Sequence, residues 1–208
     1  MQFNDVIESE AELRAMLGHP VVPAVVDKTL SRLDRHCITF IQRAPFVLIA
    51  TADAGGRMDI SPKGDAPGFV SVLDEHTLLI PDRPGNQRFD SLCNLFQNPR
   101  IGLIFLIPGK RETIRVSGTA QVIRDPALLQ GLAAQGKVPA LAIAVHVEEA
   151  FMHCAKCMIR SKLWQPDAWP SLEGLPTLAE AMKDAAAIPL PLAAIEGLIE
   201  GDETARLY

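Results

Sequence analysis

The stretch "TLLIPDRPGNQRFDSLCNLFQNPRIGLIFLIPG", Thr77 to Gly109, contains the decisive alternation of elements. "TLLIP" is a short apolar run and predicts a strand. "DRPGNQR" (Asp82–Arg88) is a polar loop broken by Pro-Gly, and from Asn86 to Gln97 the pattern is helical until Asn98-Pro99 stops it. "IGLIFLI" (Ile101–Ile107) then predicts a buried strand. One short helix between two strands, with no second parallel crossover nearby, points to antiparallel β structure.

The flanking sequence has the same character. "ETIRVSGTAQVIR" (Glu112–Arg124) alternates, with Ile114, Val116, Ala120 and Val122 on one side and Thr113, Arg115, Ser117, Thr119 and Gln121 on the other. After a helix near Pro126–Ala134, "LAIAVHVEEAF" places Leu141, Ile143, Val145 and Val147 on one face, and His146 and Glu148 on the other as exposed polar groups. Upstream, "FVLIATA" (Phe46–Ala52), the turn "DAGG" and "RMDIS" (Arg57–Ser61) form an expected hairpin. "FVSVL" is a further short strand. The N-terminal third reads as helical. From Ser31, an expected N-cap, Leu33, Cys37, Phe40 and Ile41 share a face opposite Arg32, Arg35, His36 and Arg43, and Pro45 ends the helix. About seven strands with few βαβ units predict a mainly β (α+β) antiparallel barrel rather than a Rossmann sheet.

Composition sets bounds on function. The 208 residues suit one domain with extensions, and 48% apolar with 22% charged residues is ordinary for a globular core. A net charge of −5 argues against a nucleic-acid coat or a basic membrane patch. No apolar run approaches the roughly 20 residues that span a bilayer. The acidic start lacks the layout of a signal peptide, and four cysteines in a chain this long do not make a disulfide scaffold, so a cytoplasmic location is expected. The expected division is an N-terminal helical extension (1–30), a barrel domain (31–164) and a C-terminal helical extension (165–208) packed on the barrel or on a partner.

Several motifs invite a chemical reading. "GLAAQGKV" (Gly131–Val138) has P-loop spacing but ends in Val138 where Ser or Thr must ligate magnesium, and a helical pattern precedes it where a P-loop needs a strand, which argues against nucleotide binding there. "FMHCAKCMIRSKLW" (Phe151–Trp164) contains a CxxC, Cys154 and Cys157, after His153. A thiol redox centre would need a βαβ setting, and a zinc site a fourth ligand that the isolated Cys37 and Cys93 do not supply; buried, bystander thiols are the alternative. If this segment is helical, Lys156, Arg160 and Trp164 fall on one stripe, either a solvated face or a cover for a planar anion. Two loops collect phosphate-type chemistry: "SPKGD" (Ser61–Asp65) leaves a strand, and "DRPGNQR" enters a helix N-terminus.

"RMDISPKGD", the Thr77–Gly109 stretch, "ETIRVSG" and "HCAKCMIRSKLW", in this order, resemble the pyridoxamine 5'-phosphate oxidase-like family of FMN-binding split barrels, in its branch of FMN-dependent proteins of undefined substrate. The resemblance runs from about Ser31 to Trp164. It implies a six-stranded antiparallel split β-barrel with flanking helices, working as a homodimer with FMN in clefts at the subunit interface. It also implies roles for particular residues. Arg57, Ser61 and Lys63 stand on the first phosphate-binding strand, Asn86 and Arg88 ahead of the helix, and Ile80 and Pro81 beside the flavin ring. Thr113 replaces the usual glutamine of the oxidases, Arg115 is a reserve cation like Arg83, and Lys156, Arg160 and Trp164 would reach the flavin or substrate from the second subunit. The oxidases' C-terminal Arg-x-His is absent, which leaves vitamin B6 oxidation without its signature. The implied activity is an FMN-dependent oxidoreductase acting on a small-molecule substrate, with hydride transfer through flavin N5, no metal and no assigned catalytic residue. The alternative is a non-catalytic protein of the same fold holding flavin, haem (with His153 as axial ligand) or a deazaflavin.

Overall fold

A computed structural model of the chain describes residues 3–18 and 21–208. The expected N-terminal extension is therefore described except at positions 1, 2, 19 and 20. In chain order the elements are α1 (Glu10–Leu17), α2 (Pro23–Asp27), α3 (Arg35–Ile41), β1 (Phe46–Ala52), β2 (Met58–Gly64), β3 (Ser71–Asp74), β4 (Thr77–Pro81), α4 (Asp90–Gln97), β5 (Arg100–Leu106), β6 (Thr113–Ile123), α5 (Pro126–Gln130), β7 (Ala142–His153), α6 (Lys156–Ser161), α7 (Leu178–Ala185) and α8 (Leu192–Ala205).

The strands form one antiparallel sheet in the order β2-β1-β5-β6-β7-β4-β3. This is one strand more than the six of the expected barrel. Laid flat, seven strands would set the edges about 29 Å apart at ~4.8 Å per step. Yet Val47 and Ile49 of β1 belong to the same core cluster as Leu78 and Ile80 of β4 near the opposite edge. The sheet must curl to bring them together, and α3 and α4 close the cluster with Cys37, Phe40, Ile41, Leu92 and Leu95. A smaller cluster of Leu79, Leu129, Leu132 and Ala142 packs α5 and its following loop on the outside of β4 and β7.

The long β6–β7 ladder is the spine of this sheet. Its register shifts between Ser117 and Gly118, where β7 carries the extra residue Glu148. The bulge resets the alternation of β7: Ile143, Val145 and Val147 are buried before it, and Ala150 after it. At Gly118 the partner backbone comes so close that a Cβ would stand 1.9 Å from the His146 carbonyl oxygen, so only glycine fits.

Local departures from the sequence reading have identifiable causes. Helix α3 starts at Arg35, capped by Asp34, whose side chain accepts from the His36 and Cys37 N–H groups. The expected cap, Ser31, lies outside it because the preceding segment bonds to the sheet, Leu30 bridging Ala150 and Leu33 N–H donating to Glu75. Helix α4 starts at Asp90 rather than Asn86, because Gln87 and Phe89 adopt left-handed backbone at φ 58° and 56°. Strand β7 continues through His153, opposite Thr113, so α6 is only Lys156–Ser161, ended by left-handed Lys162. Trp164 is therefore not on a helical stripe with Lys156 and Arg160.

Replacing Gly118 by Ala must displace the β6–β7 backbone and is expected to cost about 2–4 kcal/mol. A lowered urea midpoint checks this; an unchanged midpoint would show that the bulge is not rigid.

Candidate functional site

Edge strand β2 alternates between exposed and half-buried positions, and Asp59, Ser61 and Lys63 occupy the half-buried side. The Asp65 N–H donates to the Pro45 carbonyl at 3.1 Å, which prolongs the β1–β2 pairing and keeps Asp65 on that side. Asp59, Ser61 and Lys63 of this row line a cleft of about 930 Å³, also lined by the Asp82–Asp90 loop, the first turn of α4, Lys137–Ala140, and Ala205, Arg206 and Tyr208 of the C-terminal segment. Such a volume suits a cofactor-sized ligand.

The two ends of the row are tied and the middle is not. At one end the Ser91 hydroxyl donates to Asp59 at 2.6 Å. At the other, Arg83 Nε donates to Asp65 at 2.7 Å and the Tyr208 hydroxyl donates to it at 2.8 Å. Arg83 also donates to the Leu132 carbonyl, so this reserve phosphate cation is committed to a buried strut. Between these ends, the side chains of Ser61 and Lys63 make no hydrogen bond or ion pair among the described residues. Opposite them, α4 has Phe89 at its N-cap with no side-chain cap bond, so the helix's own first residues supply no partner for its leading N–H groups. Arg88 is exposed, pairs with Asp90 at 2.6 Å, and donates its backbone N–H to the Asn86 side chain. The left-handed Gln87 and Phe89 are strained, at roughly 1–2 kcal/mol each, and both line the cleft.

Two carboxyls respond to these surroundings in opposite ways. Burial pushes Asp82 above the ordinary carboxylate range, against the pull of the Lys63 charge. Burial would also raise Asp65, but hydrogen bonds from Tyr208, the Ala66 N–H and Arg83, together with the Arg83 charge, hold it below that range. The same Asp65 bond holds the Tyr208 phenol above its ordinary value.

Of the residues expected at the site, the cleft brings together Ser61, Lys63, Asn86 and Arg88. Arg57 lies outside it, stapled to Asp53 in the β1–β2 turn at 2.6 Å. Ile80 and Pro81 are buried in β4 just before Asp82. Thr113 is buried opposite His153. Arg115 lies 5.7 Å from the Phe151 ring centre, which Lys28 approaches at 5.3 Å from its own side. Trp164 donates its indole N–H to the Lys110 carbonyl, and Lys156 and Arg160 are exposed on α6. These last residues lie away from the cleft of their own chain. The sequence reading missed Asp59, Asp82, Lys137, Arg206 and Tyr208.

The thiols divide as well. Cys37 is buried, its thiol pushed up to about 11 by burial and by the Asp34 hydrogen bond. Cys93, Cys154 and Cys157 are exposed and unpaired, so the packing role considered for the CxxC does not apply. Among the described residues no group of three or more His, Cys, Asp or Glu side chains is placed to hold a metal ion, and no helix is long and apolar enough to cross a membrane.

A pyridoxamine 5'-phosphate oxidase family model matches residues 33–154, more than half of the chain. The chain belongs to this family. Among solved structures, the chain is 24% identical to HupZ of group A Streptococcus, over 58% of this chain and 93% of that one, with a TM-score of 0.47. It is 10% identical to an FMN-binding protein of Syntrophomonas wolfei over 58% and 88%, with a TM-score of 0.44. An F420 reductase is 17% identical over 54% and 93%, with a TM-score of 0.40. No curated protein shows a significant sequence match. Membership follows from the family match rather than from these structures. The fold is the family's antiparallel split barrel with flanking helices, and the family relationship makes this a flavin-binding type of protein.

The depressed Asp65 carboxyl contributes stability that is present above the ordinary carboxylate pKa of about 3.9 and is lost as pH falls through its lower folded value. The raised Tyr208 phenol contributes below its ordinary value of about 10 and loses that only as pH rises through its higher folded value. Asp65→Asn leaves Arg83 facing a neutral partner in a buried setting and is expected to cost about 3 kcal/mol at neutral pH. The gap between wild type and variant in urea unfolding is expected to be flat from about pH 5 to 9 and to shrink below about pH 4. A gap undiminished in acid would mean that the Asp65 charge is not what holds the cluster.

Proposed function

We propose that the cleft binds FMN by its phosphate and that the protein is an FMN-dependent oxidoreductase of undefined small-molecule substrate. The observation that carries this reading is the pair Ser61 and Lys63, a hydroxyl and an ammonium on one side of β2, uncommitted between two tied carboxylates and facing the uncapped start of α4. A phosphate dianion matches this set. Lys63 supplies charge, Ser61 a hydroxyl donor, and the α4 N–H groups and the Asn86–Arg88 loop supply oriented dipoles. Arg88 can exchange its exposed pairing with Asp90 for the ligand at little cost, since surface ion pairs are weak.

Bound flavin supplies the redox chemistry, exchanging hydride at N5. The protein's part is to hold the phosphate end and to place cations near the ring, where charge develops on reduction. Arg115, Lys156 and Arg160 stand too far along the chain's own sheet to line this cleft, and they reach a flavin only in a dimer, where one subunit's cleft meets the other's sheet. Support for a homodimer comes from the outward face of β1, β2 and β5, where Phe46, Met58, Ile60 and Ile104 are exposed although apolar.

The haem alternative draws less support, because no His, Cys or Met side chain lines the cleft among the described residues, and His153 lies at the far end of β7. A deazaflavin or non-catalytic flavin carrier on the same site is distinguished by spectroscopy. Purified protein is expected to show a flavin spectrum, or to acquire it on adding FMN. Lys63→Ala and Arg88→Ala should each weaken FMN binding by about 1.5–3 kcal/mol in a fluorescence titration. A Soret band, or no binding of FMN by the wild type, would end this reading; unchanged affinity in both variants would move the phosphate elsewhere.

A further inference from the structure

The C-terminal segment enters the cleft from a long way off in sequence. Tyr208 bonds to Asp65 across 143 positions, and Lys137 Nζ donates to the Tyr208 backbone oxygen. The Tyr208 ring also lies beneath the Arg83 guanidinium, 6.0 Å away. Three side chains from three parts of the fold thus fix one aromatic residue. The Asp65 side chain that Tyr208 and Arg83 both bond is only 2% exposed, so this is a built contact and not a surface encounter.

The position of that contact along β2 gives it a meaning. Residues two apart on a strand lie on one side, separated by about 6.6 Å. Asp65 is therefore one repeat beyond Lys63 and two beyond Ser61, on the same side of the strand, and the Tyr208 that covers it lines the cleft. If the phosphate sits at Ser61 and Lys63, the next group along the row in this direction meets Tyr208, which lines the cleft and covers Asp65. A terminal phosphate ends before them. A ligand that continues through a second phosphate runs into the space that Tyr208 fills.

We propose that the segment Ala205–Tyr208, latched by Tyr208 onto Asp65, closes the cleft one strand repeat beyond the phosphate position and so selects a flavin mononucleotide over a flavin dinucleotide. The inference rests on the FMN reading of the cleft and adds the residue that bounds it. Tyr208 is here a specificity-determining residue, while Arg83 and Lys137 hold it in position.

Flavin fluorescence titrations of the full chain test this, using FMN and FAD against wild type, Tyr208→Ala and Tyr208→Phe. The wild type is expected to favour FMN over FAD by at least about tenfold. Tyr208→Ala should bind FAD about tenfold more tightly than the wild type does, with FMN affinity changed less than about threefold. Tyr208→Phe, which keeps the ring and loses the Asp65 bond, should fall between them. Hydrogen exchange gives a readout that needs no flavin: the amides of α8 should exchange faster in Tyr208→Ala than in the wild type. A wild type that binds FMN and FAD equally, an unaltered FAD affinity in Tyr208→Ala, or identical α8 exchange would overturn the strap and leave the FMN reading standing. A wild type that binds neither flavin would overturn both.

Discussion

The Asp65 carboxylate is buried, charged and held by donors from three directions: the Arg83 guanidinium, the Tyr208 phenol and the Ala66 backbone N–H. Such a group is costly to bury and tolerable only because each of these bonds is made. The cost of undoing any one of them keeps the others in place. Through them the end of β2, the loop after β4 and the C-terminal segment meet at one point, and Arg83 extends the link to the loop after α5 by its bond to Leu132. The walls of the cleft come from elements scattered along the chain, and this carboxylate is what makes them neighbours.

With one end of the β2 row fixed by Asp65 and the other by the Asp59–Ser91 bond, the chemistry of the middle is simple. Both carboxylates that would repel an anion at the ends are already satisfied. Lys63 and Ser61 remain, across from a helix start without its own cap. The left-handed Gln87 and Phe89 delay that helix start, and its first residues, Asp90 to Leu92, line the cleft. Backbone strain of this kind persists where the surrounding structure imposes it, and ligand sites are a common place for it.

The cleft and the cationic end of the sheet are separate in one chain. Arg115 faces outward from β6 beside Ile104 of β5, on the face that also exposes Met58 and Ile60. Under the proposed function, a second copy laid on that apolar face joins the two halves, one subunit supplying the phosphate cradle and the other the cations.

Much of this was legible in the sequence wherever a physical rule is local. Period-two alternation gave the strands, Pro45 and Asn98-Pro99 the helix ends, and "SPKGD" a hydroxyl and an ammonium that the fold places in one cleft. The same alternation contained Asp65, which shares parity with Ser61 and Lys63. The rest depended on contacts that local pattern does not encode. The Glu148 bulge reverses which face of β7 is buried, and only the neighbouring strand reveals it. Arg57 looks like a phosphate cation until Asp53 takes it. Trp164 leaves its stripe because β7 runs on to His153 and shortens the helix. Tyr208 carries no sequence signal at all, since its partner lies 143 residues away and is brought near only by the curl of the sheet and the docking of the C-terminal segment. Sequence by itself determined which chemistry was available; the tertiary structure decided which groups were already spent on one another, because a buried charge must find its partner wherever the fold provides one.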